Sequence, residues 1–207
     1  MIADSAETAR LLEQVADGDQ AAFDALFGRN REPLRRHIEL RLDPKLRPRV
    51  DPSDVIQETH VVALHWLDDY LSRRPMPFHL WLQKTALERI AKLRRRHRTA
   101  ARRSVDREIH LPDQTSLALA QQFCKTSQNP GNEAARRDLH QQVRQALARL
   151  PDIDREILIM RYVERRDNQE IAYVLDMKSD AVSRRHGRAV LKLAKLLRQS
   201  GIGESDL

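Results

Sequence analysis

Fifteen residues near the C-terminus, Ser179 to Leu193 (SDAVSRRHGRAVLKL), limit most sharply what this chain can do. At helical spacing, Ser179, Asp180, Ser183, Arg184, Gly187 and Arg188 fall mostly on one side, and Val182, Ala189 and Leu193 on the other. An arginine can donate two hydrogen bonds to a guanine edge, and small neighbours let the backbone come close. The open face therefore fits a DNA major groove. The residues just before it, Asp167 to Lys178 (DNQEIAYVLDMK), supply a first helix. Asp167 is its expected cap, with Glu170 completing a capping box and Ile171, Ala172 and Leu175 as its apolar face. Asp176-Met177-Lys178 is the turn, and Ser179 the expected cap of the second helix. Two helices joined in this way form a DNA-binding helix-turn-helix. The plainer alternative is a helical hairpin with a solvated basic face.

A second stretch points to the same kind of partner. From Arg89 to Arg103 there are eight lysines and arginines and no acid. Such a run neutralises phosphates and releases their counterions. The helix that carries it starts near Phe78 and extends to about Arg103, with Leu82, Ala86, Ile90 and Leu93 as its buried stripe. Trp81, Lys84, Glu88, Lys92 and Arg95 lie on the other side, so Trp81 is expected among cations, where it can stack on an unpaired base for roughly 1–3 kcal/mol. Arg96 extends the cationic face.

A third stretch has the chemistry of a protein-docking face. Asp51-Pro52-Ser53-Asp54 is a strong helix start, and the helix is expected to run to about Tyr70. Val55, Thr59, Val62, Trp66 and Tyr70 share one face. Asp54, Gln57, Val61, Leu64 and Asp68 lie opposite, two aliphatics framed by acids and an amide. Scattered aliphatics on an ordinary surface are the alternative.

Catalytic constellations are missing. There is no HExxH, P-loop, cysteine pair or serine-elbow pattern. His60 and His65 are five apart, which does not place them on one helical face. Gly201-Ile202-Gly203 leads into no helix. The expectation is no enzyme, no catalytic residue, no metal site and no cofactor. Cys124 is the only cysteine, which suits a reducing compartment. The acidic, polar N-terminus is no signal peptide, and no run approaches the roughly 18 apolar residues that cross a bilayer. A cytoplasmic protein without membrane insertion is expected.

The elements that must position these residues follow from composition and order. The chain has 207 residues, a net charge of +7 and a pI of about 10.0, which favours a polyanionic partner. Hydrophobic residues make up 41% but aromatics only 4%, so an all-α protein with small cores is expected. Helices are expected over Glu7–Ala16, from Asp19 onward with a kink or new start at Pro33, and over Ala134–Leu150, then from Asp152 or Asp154 and through the helix-turn-helix to about Arg198. Leu71 to Pro77 reads as a loop and Lys45 to Val50 as a basic connector. Asp106 to Glu133, rich in Gln, Ser, Thr and Asn, reads as a linker, with a turn of helix over Leu117–Phe123 as the alternative there. The predicted organisation is a helical domain over 1–106, a flexible linker over 107–133, and a helix-turn-helix domain over 134–200.

With these residues in place, nearly the whole chain resembles a bacterial RNA polymerase sigma factor of the extracytoplasmic-function (ECF) type. DPSDVIQETHVVALHWLDDY is similar to the core helix of that family's second region, and PFHLWLQKTALERIAKLRRR to the helix behind it. LARLPDIDREILIMRYVE and NQEIAYVLDMKSDAVSRRHGRA are similar to the two parts of the fourth region. The resemblance implies a subunit that binds core RNA polymerase and directs promoter-specific transcription initiation. Asp54, Gln57, Val61, Leu64 and Asp68 would dock on the polymerase. Leu71 to Pro77 would help hold a flipped base of the −10 element. Trp81, Lys84, Lys92, Arg95 and Arg96 would contact the opened −10 region. Ser179, Asp180, Ser183, Arg184, Gly187 and Arg188 would read the −35 element. Promoter DNA and core polymerase are the implied partners, and an anti-sigma factor is a further one the resemblance allows. Glu88 departs from the family, which often has asparagine there, and its carboxylate would oppose phosphate. The competing function is a helix-turn-helix repressor or activator acting without the polymerase, which would usually dimerise on a palindromic site. A membrane-surface helix at Arg89–Arg103 is disfavoured by its lack of a large aromatic or leucine face.

Overall fold

The computed structural model describes residues 4–44, 50–100, 111–123 and 133–200. These are all-α, in two compact units: Met1–Leu42 with Leu46–Asp106, and Asp43–Lys45 with Arg107–Leu207. The basic connector, Cys124 and the C-terminal tail from Gly201 lie largely or wholly outside the described residues.

The first unit holds α1 (Ala6–Ala16), α2 (Gln20–Glu39), α3 (Pro52–His65), α4 (Leu67–Arg73) and α5 (Phe78–Ala100). Ser5 caps α1 through the Thr8 N–H, and Asp19 caps α2 through the Ala22 N–H. α2 passes through Pro33 without a break or new start. Leu34 and Ile38 just beyond it are fully buried, and that burial outweighs the roughly 3 kcal/mol a helix-interior proline costs. Phe23, Leu26, Ile38, Val55, Ile56 and Leu82 lie in one core shared by α2, α3 and α5. Arg41 is also buried there. Its guanidinium donates to the His37 carbonyl (2.8 Å), and Arg94 donates to the Arg41 carbonyl (2.6 Å).

The expected single helix from Pro52 to Tyr70 is two. Asp51 accepts from the Ser53 N–H, and Asp54 reaches back to the Asp51 N–H, so the start is as expected. The helix then breaks at Trp66 (φ −102°, ψ 13°), and α4 restarts at Leu67. The rotation puts Tyr70 under α5 and leaves Trp66 outside. The expected loop from Leu71 is correspondingly shorter. Arg73 is still helical, and the chain turns at Arg74, which adopts a left-handed conformation (φ 37°). At the other end of this turn the Phe78 N–H donates to Asp4 (2.9 Å), which tethers the start of α5 to the N-terminal segment.

The second unit holds α6 (Asp113–Phe123), α7 (Glu133–Ala148), α8 (Asp152–Leu158), a π-helical turn (Ile159–Val163), α9 (Asn168–Leu175) and α10 (Ser179–Gln199). The expectation of a linker over 107–133 meets an eleven-residue helix at its centre. α6 buries Leu119 and Ala120 and packs on α7 and the π turn. The alternative turn of helix over Leu117–Phe123 is its C-terminal part. The flanking residues 101–110 and 124–132 lie outside the described set.

Arg155 organises the corner between α7 and α8. It is 1% exposed, and its guanidinium donates to the carbonyls of Leu147 (3.0 Å), Ala148 (3.3 Å) and Leu150 (3.4 Å) and pairs with Asp152. These are carbonyls that the end of a helix leaves without intrahelical partners. Among the described residues no helix is long and apolar enough to cross a membrane.

Arg155→Ala takes its donors from the Ala148 and Leu150 carbonyls, while Leu147 keeps the Leu150 N–H. It should therefore destabilise the second unit by about 1–3 kcal/mol for each carbonyl left unpaired. Both tryptophans, Trp66 and Trp81, belong to the first unit. Urea unfolding should therefore show an earlier transition by circular dichroism with the tryptophan fluorescence transition unmoved. An unchanged dichroism curve would rule out this role for Arg155.

Candidate functional site

The helix-turn-helix is built from local rules. Asp167 accepts from the backbone N–H groups of Gln169 and Glu170 (both 2.8 Å), and Glu170 accepts from the Asp167 N–H (3.0 Å), giving the full capping box. Arg166 pairs with Glu170 and holds it in place. α9 ends at Asp176 in a left-handed conformation (φ 54°), with Met177 N–H donating to the Ala172 carbonyl (2.9 Å). This is a Schellman closure with aspartate where glycine is commoner. It reverses the chain over Asp176–Lys178, the expected turn.

The second helix begins one residue differently from expectation. Lys178 is the cap position, extended at φ −79° and ψ 142°, and no side chain caps the helix. Ser179 is already helical and exposed. The N–H groups of the first turn are thus left unblocked by any side chain, at the positive end of the helix dipole.

Val182, Ala189 and Leu193 are all 0% exposed, and α10 packs on α7, α8 and α9. Ser179, Asp180, Ser183, Arg184, Gly187 and Arg188 are all exposed, on one continuous open face. A methyl group placed at Gly187 would meet nothing within 4 Å, so packing does not require glycine there.

Two contacts that the sequence did not reveal set the rotation of α10. Arg185 pairs with Asp154 of α8 (2.5 Å), which is 8% exposed. His186 hydrogen-bonds the Tyr162 hydroxyl of the π turn (3.0 Å), and Phe123 at the end of α6 meets the Tyr162 ring edge-on at 4.7 Å. Both RRH neighbours of Arg184 thus face inward. Their charge suggested the opposite, and only the positions of Val182 and Ala189 carried a hint. Burial, followed by the nearby Arg161 charge, holds the His186 imidazole below its ordinary pKa.

On α5 the arrangement differs from expectation at Trp81. Its ring stacks on Tyr70 at 4.5 Å and 25°, lies 5.6 Å from Phe78, and packs half-buried against the core. It does not stand free among cations, because the break at Trp66 delivers Tyr70 to one of its faces. Burial pushes the Tyr70 hydroxyl pKa up, so it stays a donor, to the Met76 carbonyl (3.0 Å), and pins the turn ahead of α5. Lys92, Arg95 and Arg96 are exposed and Lys84 is half-buried, while Arg94 in the same run is a core residue. Glu88 is exposed.

On α3, Asp54, Gln57, Val61 and Leu64 are exposed, and Asp68 is exposed on α4. Val61 (64%), Leu64 (40%) and Trp66 (55%) are all exposed, although Trp66 was expected on the opposite face, with Val55 and Tyr70. His65 meets the Trp66 ring edge-on at 5.1 Å. The apolar patch is therefore larger than Val61 and Leu64 alone. Its signal was the Asp68-Asp69 pair, which favours a new helix start at that point. Among the described residues no group of three His, Cys, Asp or Glu side chains could hold a metal ion.

Gly187→Ala should stabilise the second unit by about 1 kcal/mol. It should weaken DNA binding if the backbone approaches a base or phosphate there; thermal unfolding and a promoter-binding titration separate the two effects. His186 takes up a proton at lower pH folded than unfolded, so its contribution is complete above the ordinary imidazole range and lost as pH falls through it. His186→Gln should flatten that loss in acid unfolding curves.

Comparison with known proteins agrees with this geometry. The family model described as Sigma-70, region 4 matches residues 140–193. The RNA polymerase sigma factor CnrH of Cupriavidus metallidurans is 32% identical, over 90% of this chain and 92% of its own. The RNA polymerase sigma factor NccH of Alcaligenes xylosoxydans xylosoxydans is 30% identical, over 93% and 95%. The ECF RNA polymerase sigma-E factor of Salmonella typhimurium is 28% identical, over 86% and 88%. Among solved structures, CnrH in complex with the cytosolic domain of CnrY matches with a TM-score of 0.56 and 26% identity, covering 93% of this chain and 98% of that one. A matching fold, a helix-turn-helix whose second helix has the expected open face, and relatives aligned almost end to end lead to one conclusion: the chain belongs to the RNA polymerase sigma factors of the ECF type.

Proposed function

We propose that this sigma factor divides its work between a domain over residues 1–106, which docks on core RNA polymerase and acts at the −10 element, and a domain over 134–200, which reads the −35 element. As an ECF sigma factor it binds core polymerase and promoter DNA and directs promoter-specific initiation. Sigma factors are generally non-enzymatic regulators, and we assign it no catalytic residue, metal or cofactor. It would act in the cytoplasm, where its polymerase is.

The observation that carries the −35 assignment is the division of α10: three apolar residues at 0% exposure on one side, and the six candidate residues all exposed on the other. Arg184 and Arg188 offer bidentate donors, Ser179 and Ser183 short hydroxyls, and Gly187 a bare backbone. Unblocked N–H groups at the start of α10 suit a phosphate. In the other domain, Asp54, Gln57, Val61, Leu64 and Asp68, with Trp66, would form the polymerase face. Lys84, Lys92, Arg95 and Arg96 would bind the strand backbone, and the exposed part of Trp81 would stack on an unpaired base. The turn at Arg74–Pro77, pinned by Tyr70, would border that base. CnrH is solved in complex with the cytosolic domain of CnrY, and an anti-sigma factor would by analogy be a regulator of this chain.

Added to core polymerase and a matching promoter, the chain should start transcripts. A repressor acting without the polymerase would not. Arg184→Ala should weaken binding to one −35 sequence by roughly 1–3 kcal/mol and relax its preference. Equal loss on all sequences would make Arg184 a phosphate contact only. Trp81→Leu keeps apolar packing on Tyr70 but removes the base-stacking surface. Permanganate reactivity of unpaired thymines should fall while duplex binding persists; unchanged reactivity would remove Trp81 from strand opening.

A further inference from the structure

The loop ahead of α9 holds one residue that its own packing does not explain. Arg165 adopts a left-handed conformation (φ 59°), where glycine fits freely and a long side chain is strained. Its neighbours are fixed. The Glu164 N–H donates to the Ile159 carbonyl (3.1 Å) and the Arg166 N–H to the Met160 carbonyl (2.9 Å). The Arg161 guanidinium donates to the Arg166 carbonyl (3.2 Å) and to the Asn168 side chain. The Arg166 guanidinium pairs with Glu170. Arg165 itself is exposed and makes no hydrogen bond or ion pair among the described residues. The loop is thus a rigid bracket that presents one guanidinium outward, at a position where glycine would be free of strain.

The helix-turn-helix gives that guanidinium a partner. In such a motif the second helix lies in the major groove, and the first crosses the sugar-phosphate backbone. Arg165 stands just ahead of Asp167, the cap of α9, and α9 packs on α10. The π turn on the other side of Arg165 reaches α10 through the Tyr162–His186 hydrogen bond (3.0 Å). The start of α9 offers a phosphate little else. Asp167 already takes up the N–H groups of Gln169 and Glu170, unlike the start of α10, where no side chain caps. We propose that Arg165 is a phosphate clamp for the −35 duplex. Its guanidinium donates to one phosphate of the strand that α9 crosses, and so fixes the register of α10 in the groove without reading a base. The clamp rests on the −35 reading of α10, but it lies outside the open face of that helix, so the two can fail separately.

The test uses holoenzyme assembled from core polymerase and the full chain. Two duplexes are titrated: one selected from random sequence by the wild-type holoenzyme, the other a scramble of the same composition. Arg165→Gly removes the guanidinium and relieves the left-handed strain, so the chain alone should unfold at a higher temperature. The same variant should bind both duplexes about fivefold to tenfold more weakly at about 0.1 M salt, and its plot of log K against log salt should be shallower by about 0.9. Arg165→Lys keeps the charge and should keep the slope. A binding loss that comes with a gain in stability cannot be misfolding. Wild-type affinity and slope in Arg165→Gly overturn the clamp. So does a loss confined to the selected duplex, which would make Arg165 a base reader. Arg184→Ala, measured alongside, should lose preference for the selected duplex. If it does so while Arg165→Gly is unchanged, the clamp falls and the −35 reading stands; if neither variant changes binding, both fall.

Discussion

The second unit depends on one buried guanidinium. Arg155 gathers the last carbonyls of α7 and the Asp152 carboxylate, and so fixes the direction in which α8 leaves the corner. Asp154, next to it in sequence, then receives Arg185, and the π turn that continues α8 presents Tyr162 to His186. The rotation of α10 about its own axis is thereby set by a chain of contacts that starts at a single charge in the core. A charge in that position is tolerated because three carbonyls and a carboxylate accept from its two terminal nitrogens. The first unit uses the same device: Arg41 and Arg94 tie the end of α2 to α5. In a chain with few aromatics, buried arginines add the directional contacts that small aliphatic cores lack.

Charge in this protein therefore has two roles that its composition does not separate. Arg184 and Arg188 point outward, whereas Arg185 between them points inward to a carboxylate. In the run on α5, Arg95 and Arg96 are exposed while Arg94 is part of the core. A net charge of +7 predicts a polyanionic partner, but the residues available to meet it are fewer than the count suggests.

Much of the architecture was legible in the sequence because it rests on neighbours a few residues apart. The Asp167–Glu170 capping box, the Asp176–Lys178 turn and the Val182–Ala189–Leu193 stripe are all of this kind, and all form as expected. The misreadings have a common cause: partners far away along the chain. Periodicity extrapolated across the break at Trp66 put Trp66 on one face with Tyr70, and the apolar stripe of α5 read by itself put Trp81 among cations, with no sign that Tyr70 would stack on it. Only a turn of α6, over Leu117–Phe123, was legible among its polar residues; the helix starts at Asp113 and buries Thr115 and Ser116 as well as Leu119 and Ala120 against α7 and the π turn. Ser179 was one residue from the cap position because Lys178, not Ser179, is the last extended residue of the turn.

α10 is one uninterrupted rod of 21 residues, roughly 31 Å at 1.5 Å per residue, and it is held along most of that length from Val182 to Leu197. Such a rod cannot roll or slide to suit an imperfect sequence. On the proposed reading, in which α10 meets the −35 element, tolerance of a mismatched base would come from the flexible stems of Arg184 and Arg188 or from bending of the duplex. Promoters with the same bases but different stiffness would then be used unequally.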